Sequence, residues 1–114
     1  MGYSVTNIES TWNYTGLKKN SKTISWAGDK SNWFVQESEM KNWKWWRRSY
    51  EIRLKNNPPK SDAFKKANAP IGDHNSTALN NICREIYKKS NPDDNEKEDA
   101  WRYCSIPGHM PFKV

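Results

Sequence analysis

The run Glu37–Asn57, E-S-E-M-K-N-W-K-W-W-R-R-S-Y-E-I-R-L-K-N-N, decides how the rest of the chain is read, because three of the seven tryptophans fall within it. Wound at about 100° per residue, Met40, Trp43, Trp46, Tyr50 and Leu54 lie within about 60° of one line. Lys41, Lys44, Arg48 and Lys55 gather about 130° away from that line, so one helix is expected to offer a core-facing aromatic ridge and a basic stripe. Trp45 and Ile52 fall on the side opposite the ridge. Either a second layer covers them, or they are exposed apolar groups available to a partner.

Outward from this helix, Asn56-Asn57-Pro58-Pro59 ends it, since proline cannot continue the hydrogen-bond ladder and restricts the residue before it. Ser61-Asp62 then reads as an N-cap for a short helix over 61–68, closed by Ala69-Pro70. Asn75 or Ser76 is expected to cap the next helix, in which Leu79, Ile82, Cys83 and Ile86 follow the i, i+3, i+4, i+7 rule until Asn91-Pro92 stops it. Asp93 and Asp94 open a last helix whose inner face is Ala100, Trp101 and Cys104, with negative charge at the favourable end of the macrodipole. Residues 75–105 therefore form a helical hairpin. The tail 106–114, broken by Pro107, Gly108 and Pro111, reads as an extended strap held by Ile106, Met110 or Phe112.

On the other side, residues 1–36 give a mixed signal. Val5, Ile8 and Trp12 suit a short helix, yet the Ser, Thr and Asn density reads as loop. Thr23-Ile24-Ser25-Trp26 alternates as a short strand would, Ala27-Gly28-Asp29-Lys30 resembles a turn, and Trp33, Phe34 and Val35 are expected to be buried.

Composition sets the kind of core. Leu, Ile, Val and Phe together make 16 of 114 residues, about 14%, and the net charge is +6; such values usually accompany disorder. Fifteen aromatics oppose this, because each can bury roughly 150–250 Å². One domain with one aromatic core is expected over 1–114. The charge is concentrated: residues 41–55 carry six Lys or Arg against Glu51, a net of +5. An acidic partner would meet this helix first, although a basic stripe is also the ordinary solvated face of an amphipathic helix.

No run approaches the roughly 20 apolar residues of a membrane span, and the first residues lack a charged segment followed by an apolar one. A soluble chain without a transmembrane segment is expected, unless a signal or anchor was trimmed before Met1.

In an antiparallel hairpin turning at Asn91 to Asp94, Cys83 lies about 10 Å before the turn and Cys104 about 14 Å after it. They are level, on the faces expected to meet, so a disulfide is geometrically reasonable; closing a loop of about 22 residues is worth on the order of 3 kcal/mol. Two buried free thiols are one alternative. A metal site from His74, Cys83, Cys104 and His109 is another, although their spacing matches no zinc pattern. A disulfide would place the domain outside the reducing cytosol.

The stretch Leu79-Asn80-Asn81-Ile82-Cys83 through Ala100-Trp101-Arg102-Tyr103-Cys104-Ser105-Ile106 resembles the C-terminal pattern of small, uncharacterised proteins that occur in large families in haemotrophic mycoplasmas. Those proteins look like an N-terminal membrane anchor followed by a compact ectodomain whose last helices carry a Leu-x3-Cys element and then an aromatic-Cys-Ser or Trp-Cys-Thr element. The likeness covers residues 79–106, and the present chain is expected to depart from it at its start, where no anchor is read unless one was trimmed. It implies a surface or exported protein that meets host material, and it brings no catalytic residues.

The chain lacks Gly-x-Ser-x-Gly, a phosphate-binding glycine loop, or a nucleophile with a base beside it, so no enzyme, cofactor or catalytic residue is expected. Asp93, Asp94, Glu96, Glu98 and Asp99 lack the glycine and alternation of an EF-hand, and read as a helix N-terminus with its solvated face. Asn13-Tyr14-Thr15 and Asn75-Ser76-Thr77 match a glycosylation acceptor pattern that matters only in a eukaryotic secretory pathway. Trp beside Arg and Lys suits a protein hot spot, a nucleic acid or an anionic membrane interface.

The expectation is therefore a mainly α, small single-domain bundle with an irregular segment over 1–36 and a basic aromatic helix over 37–57. Helices are expected near 38–56, 61–68, 76–90 and 95–104. The favoured function is a non-catalytic, extracytoplasmic binding module for a host or cell-surface macromolecule, preferably an acidic protein surface. Its binding residues are expected to be Lys41, Lys44, Trp45, Arg48, Ile52 and Lys55. A small nucleic-acid-binding protein using residues 41–55 stands second, and a peripheral membrane binder third; with reduced cysteines the compartment would be cytoplasmic.

Overall fold

A computed structural model describes residues 25–28 and 33–110. The expectations for Val5, Ile8, Trp12, Asn13 and Phe112, and most of the irregular N-terminal segment, fall outside these. The fold is mainly helical with a buried aromatic cluster, as expected. A 3-10 turn Met40–Asn42 leads into α1, Trp43–Arg48, which continues as a π-helical segment Ser49–Leu54. α2 is Asp62–Lys65, α3 is Leu79–Lys88 and α4 is Asp94–Cys104.

The first helix is turned away from its expected phase. Asn42, Trp45, Trp46, Ser49 and Arg53 are the buried residues, spaced by three and four, while Met40 is 82% and Trp43 41% exposed. Trp46 is core as expected, and Tyr50 and Leu54 pack half-buried at the margin. The buried face carries three polar residues, so a ridge drawn by hydrophobicity misses it. Each of the three is used. Asn42 Nδ2 donates to the Gln36 carbonyl at 3.2 Å, and Ser49 Oγ donates to Tyr103 O at 2.7 Å. The Arg53 guanidinium donates to Ser105 O at 2.6 Å and Ile106 O at 2.8 Å, with Arg102 O at 3.3 Å. These carbonyls lie at the C-terminus of α4, where the last acceptors of a helix lack partners and the dipole end is negative. A buried cation there caps one helix from another. Trp45, 5.2 Å from the same guanidinium and edge-on to Trp46 at 5.0 Å, encloses it in aromatic carbon.

The helical hairpin is formed by α3 and α4, and its cysteines are joined. Cys83 and Cys104 form a disulfide with their Cα atoms 6.0 Å apart. Both sulfurs of the hypothetical metal set are therefore consumed, and His74 and His109 lie at the surface. The second helix of the hairpin is pinned at its start by a capping box, Asp93 accepting from Glu96 N at 2.8 Å and Glu96 accepting from Asp93 N at 3.0 Å. The acidic run is not simply a solvated face. Asp99 is fully buried and takes the Ser61 amide and hydroxyl, each at 2.7 Å, so α4 holds the start of α2. Ser61 is the expected N-cap of that helix.

The expected cap of α3 is replaced. Its N-cap is Ala78, without a side-chain hydrogen bond; Leu79 N donates to Ala69 O at 2.8 Å and Asn80 N to Pro70 O at 3.4 Å, through a parallel bridge between Ala69 and Ala78. Asn75 instead receives Thr77 N in a local turn.

Around the hairpin, Phe34 packs between Trp101 at 4.7 Å, Trp26 at 5.2 Å and Tyr87 at 5.4 Å. Val35 N donates to Cys104 O and Ile106 N to Trp33 O, so the 33–35 segment lies against the end of α4. Trp33, expected to be buried, stands 37% exposed at this edge. Of the expected strap contacts, Ile106 packs on the core and Met110 is exposed.

Candidate binding face

Two large apolar side chains reach the surface close together at the start of the first helix. Met40 and Trp43, three residues apart, are both exposed, because the core-facing phase of the helix leaves no room for them. A cleft of about 360 Å³ opens against them, with Glu37, Glu39, Met40 and Trp43 on one side and Asp73 and Arg84 on the other.

Its walls are fixed by an asparagine pair at the start of α3. Asn80 Nδ2 donates to Glu37 O at 3.2 Å, and its Oδ1 accepts from Gly72 N at 3.2 Å. Asn81 Nδ2 donates to Gly72 O at 2.7 Å and Asn75 O at 2.9 Å. One residue thus ties the 71–75 loop to the segment before the first helix, and its neighbour fixes the loop's own curve. Gly72 is required by close approach: a Cβ there would stand 2.9 Å from Asn75 Cβ and 3.3 Å from Ala78 Cβ. Beyond Asp73, Asn81 and Arg84 the depression continues into a second cleft of about 330 Å³, bounded by Lys66, His74 and Glu85.

Beneath the face, Tyr87 is buried and donates its hydroxyl to Val35 O at 2.6 Å. Burial, reinforced by the carboxylate of Glu37, raises its pKa well above the ordinary phenol value, so it stays neutral and holds the Val35 carbonyl.

The residues expected to form the binding surface divide. Lys41, Lys44 and Lys55 are exposed, and Arg48 and Ile52 are half-buried. Trp45, expected as the exposed aromatic, is fully buried, and Trp43 takes the surface position instead. Arg47 is also exposed, its guanidinium carbon 5.1 Å from the Trp43 ring centroid, and Lys55 Nζ is 5.3 Å from the centre of Tyr50. Such stacking restrains an otherwise mobile indole. The two walls of the cleft are 25 or more residues apart in sequence, so no local spacing reports it.

Among the described residues no group of three or more His, Cys, Asp or Glu is placed to hold a metal, and no helix is long and apolar enough to cross a membrane. Comparison with protein-family models, curated proteins and solved structures finds no match.

Proposed function

We propose that this domain is a non-catalytic, extracytoplasmic binding module that recognises a host or cell-surface macromolecule through the face centred on Trp43. The observation that carries the reading is the exposure of Trp43 and Met40 at the mouth of a preorganised cleft. Tryptophan and arginine are the residues that most often dominate protein hot spots, and Arg47 lies against this indole. The Cys83–Cys104 bond supports an oxidising compartment, in keeping with the resemblance to exported mycoplasma proteins. Lys41, Lys44 and Lys55 favour an acidic surface beside the aromatic anchor.

The exposed cations also support a second reading, a nucleic-acid-binding protein, and the two differ in salt dependence. Fluorescently labelled, oxidised protein is titrated onto intact host cells and, separately, onto short oligonucleotides at low and moderate salt. The favoured reading expects saturable cell binding that Trp43→Ala removes and that changes little with salt. Oligonucleotide binding that falls by about 0.7–0.9 logarithmic units per phosphate contact for each tenfold rise in salt, and is lost in Lys41→Glu with Lys44→Glu, would replace it with the second.

A further inference from the structure

The cleft beside Trp43 has the opposite charge balance from the molecule that carries it. The chain is +6, yet the cleft is lined by the carboxylates of Glu37, Glu39 and Asp73 against Arg84 alone. None of those three carboxylates forms an ion pair among the described residues. Glu85, Glu96, Glu98 and Asp99 have a Lys or Arg within reach, while Glu51, Asp62, Asp93 and Asp94 form no ion pair among the described residues either, so what sets the three apart is that they line one concavity. The nearest engagement of Glu39 is a long 3.4 Å contact from Lys41 N. Three acidic residues around one concavity make it a favourable place for a cation. The same wall presents an indole, whose π face attracts ammonium and guanidinium groups.

From these features we infer that the cleft is the seat of a cationic side chain, the arginine or lysine of a basic peptide segment in the partner. This rests on the binding reading above and names the chemistry of its anchor. The cationic head is held among Glu37, Glu39 and Asp73, and the aliphatic stem lies along Met40, Trp43 and Ile71, which line the same cleft. A volume of about 360 Å³ takes one long side chain with its flanking backbone. Arg84, whose Nη2 donates to Asn81 Oδ1 at 3.0 Å, makes no ion pair among the described residues and suits a peptide carbonyl or carboxylate. Because Asn80 and Asn81 already hold both walls, little ordering is required on binding. The basic helix face outside the cleft then prefers acidic residues flanking the anchor. The partner's charge order is thereby specified.

The test uses the oxidised full chain and a capped pentapeptide, Gly-Gly-Arg-Gly-Gly, against the same peptide with citrulline, which keeps the shape and removes the charge. Amide and indole NMR shifts are followed during titration. The expected result is saturable perturbation of the Trp43 indole and of Gly72 and Asp73, with affinity at least about tenfold weaker for citrulline. Glu37→Gln with Glu39→Gln and Asp73→Asn gives the same loss at an unchanged urea midpoint. Equal affinity for both peptides, shifts confined to Lys41, Lys44 and Lys55, or no saturation would overturn the inference. Repeating the cell-binding titration separates it from the broader reading. If Trp43→Ala removes binding and the neutralised cleft does not, the face stands and the cationic seat falls. If neither variant changes binding, both fall.

Discussion

Replacing Arg53 by methionine, which keeps most of its length and removes its charge, should be among the most destabilising changes in the protein. The guanidinium is fully buried and makes two short hydrogen bonds, to Ser105 O at 2.6 Å and Ile106 O at 2.8 Å. Hydrogen bonds to a charged group contribute about 1.5–3 kcal/mol each, and stacking on Trp45 adds on the order of 1 kcal/mol. Against this stands the cost of desolvating the cation, several kcal/mol, which the substitution removes. The deciding quantity is what is left behind. Ser105 is fully buried, so its carbonyl loses its donor without gaining water, and the last turn of α4 loses the charge that complements its dipole. A net loss of about 3–5 kcal/mol follows, by analogy with removing one partner of a buried charged pair. At an m-value near 2 kcal/mol/M that is a fall of about 2 M in the urea midpoint. A loss under about 1 kcal/mol would mean that desolvation cancels the bonds, and the capping role assigned to Arg53 would be wrong.

Other substitutions probe the helix phase, the staple and the cleft. Trp45→Ala should cost about 3–5 kcal/mol, while Trp43→Ala, half in water, should shift the denaturant midpoint far less; equal shifts would contradict the phase described. Reduction of Cys83–Cys104 should lower stability by about 3 kcal/mol, read as a drop in midpoint that a Cys83→Ala/Cys104→Ala double variant reproduces without reductant. Gly72→Ala should displace the 71–75 loop, because the new Cβ meets Asn75 at 2.9 Å, and unchanged amide shifts at Asp73 and Asn75 would show that the loop has room. The Lys60 ammonium hydrogen-bonded to Glu98 lowers that carboxylate below its ordinary 4.5, with Arg102 assisting. Its stabilising effect is therefore present above that value and lost as the pH falls through the folded pKa, so Glu98→Gln should flatten part of the acid limb of the stability curve. Tyr87 behaves in the opposite sense: its raised pKa gives stability that holds below 10.0 and disappears in more alkaline solution, and Tyr87→Phe should remove that alkaline loss.

What the sequence disclosed depended on how local the signal was. The hairpin was legible because Leu79, Ile82, Cys83 and Ile86 repeat at helical spacing and Asn91-Pro92 marks one turn, which also set the two cysteines level. The phase of the first helix was not, because Asn42, Ser49 and Arg53 enter the core through bonds to carbonyls far along the chain. Hydrophobicity has no means of ranking an arginine as core when its partners are the loose end of another helix. The same blindness moved the surface aromatic from Trp43 to Trp45. Asp99 illustrates the converse: within an acidic run it looked solvated, yet it is the residue that holds Ser61. The cleft needed the 71–75 loop and the 37–43 segment to be brought together, and no spacing rule along the chain reports such a meeting.

The central claim is that Trp43 is the recognition anchor and contributes little to the fold. The most direct test is a cell-binding titration of Trp43→Ala beside the unaltered protein, both disulfide-bonded and both checked for the same urea midpoint. The account predicts a matched midpoint and loss of saturable binding by at least about tenfold, equivalent to 1.4 kcal/mol. Undiminished binding by a folded Trp43→Ala would contradict it.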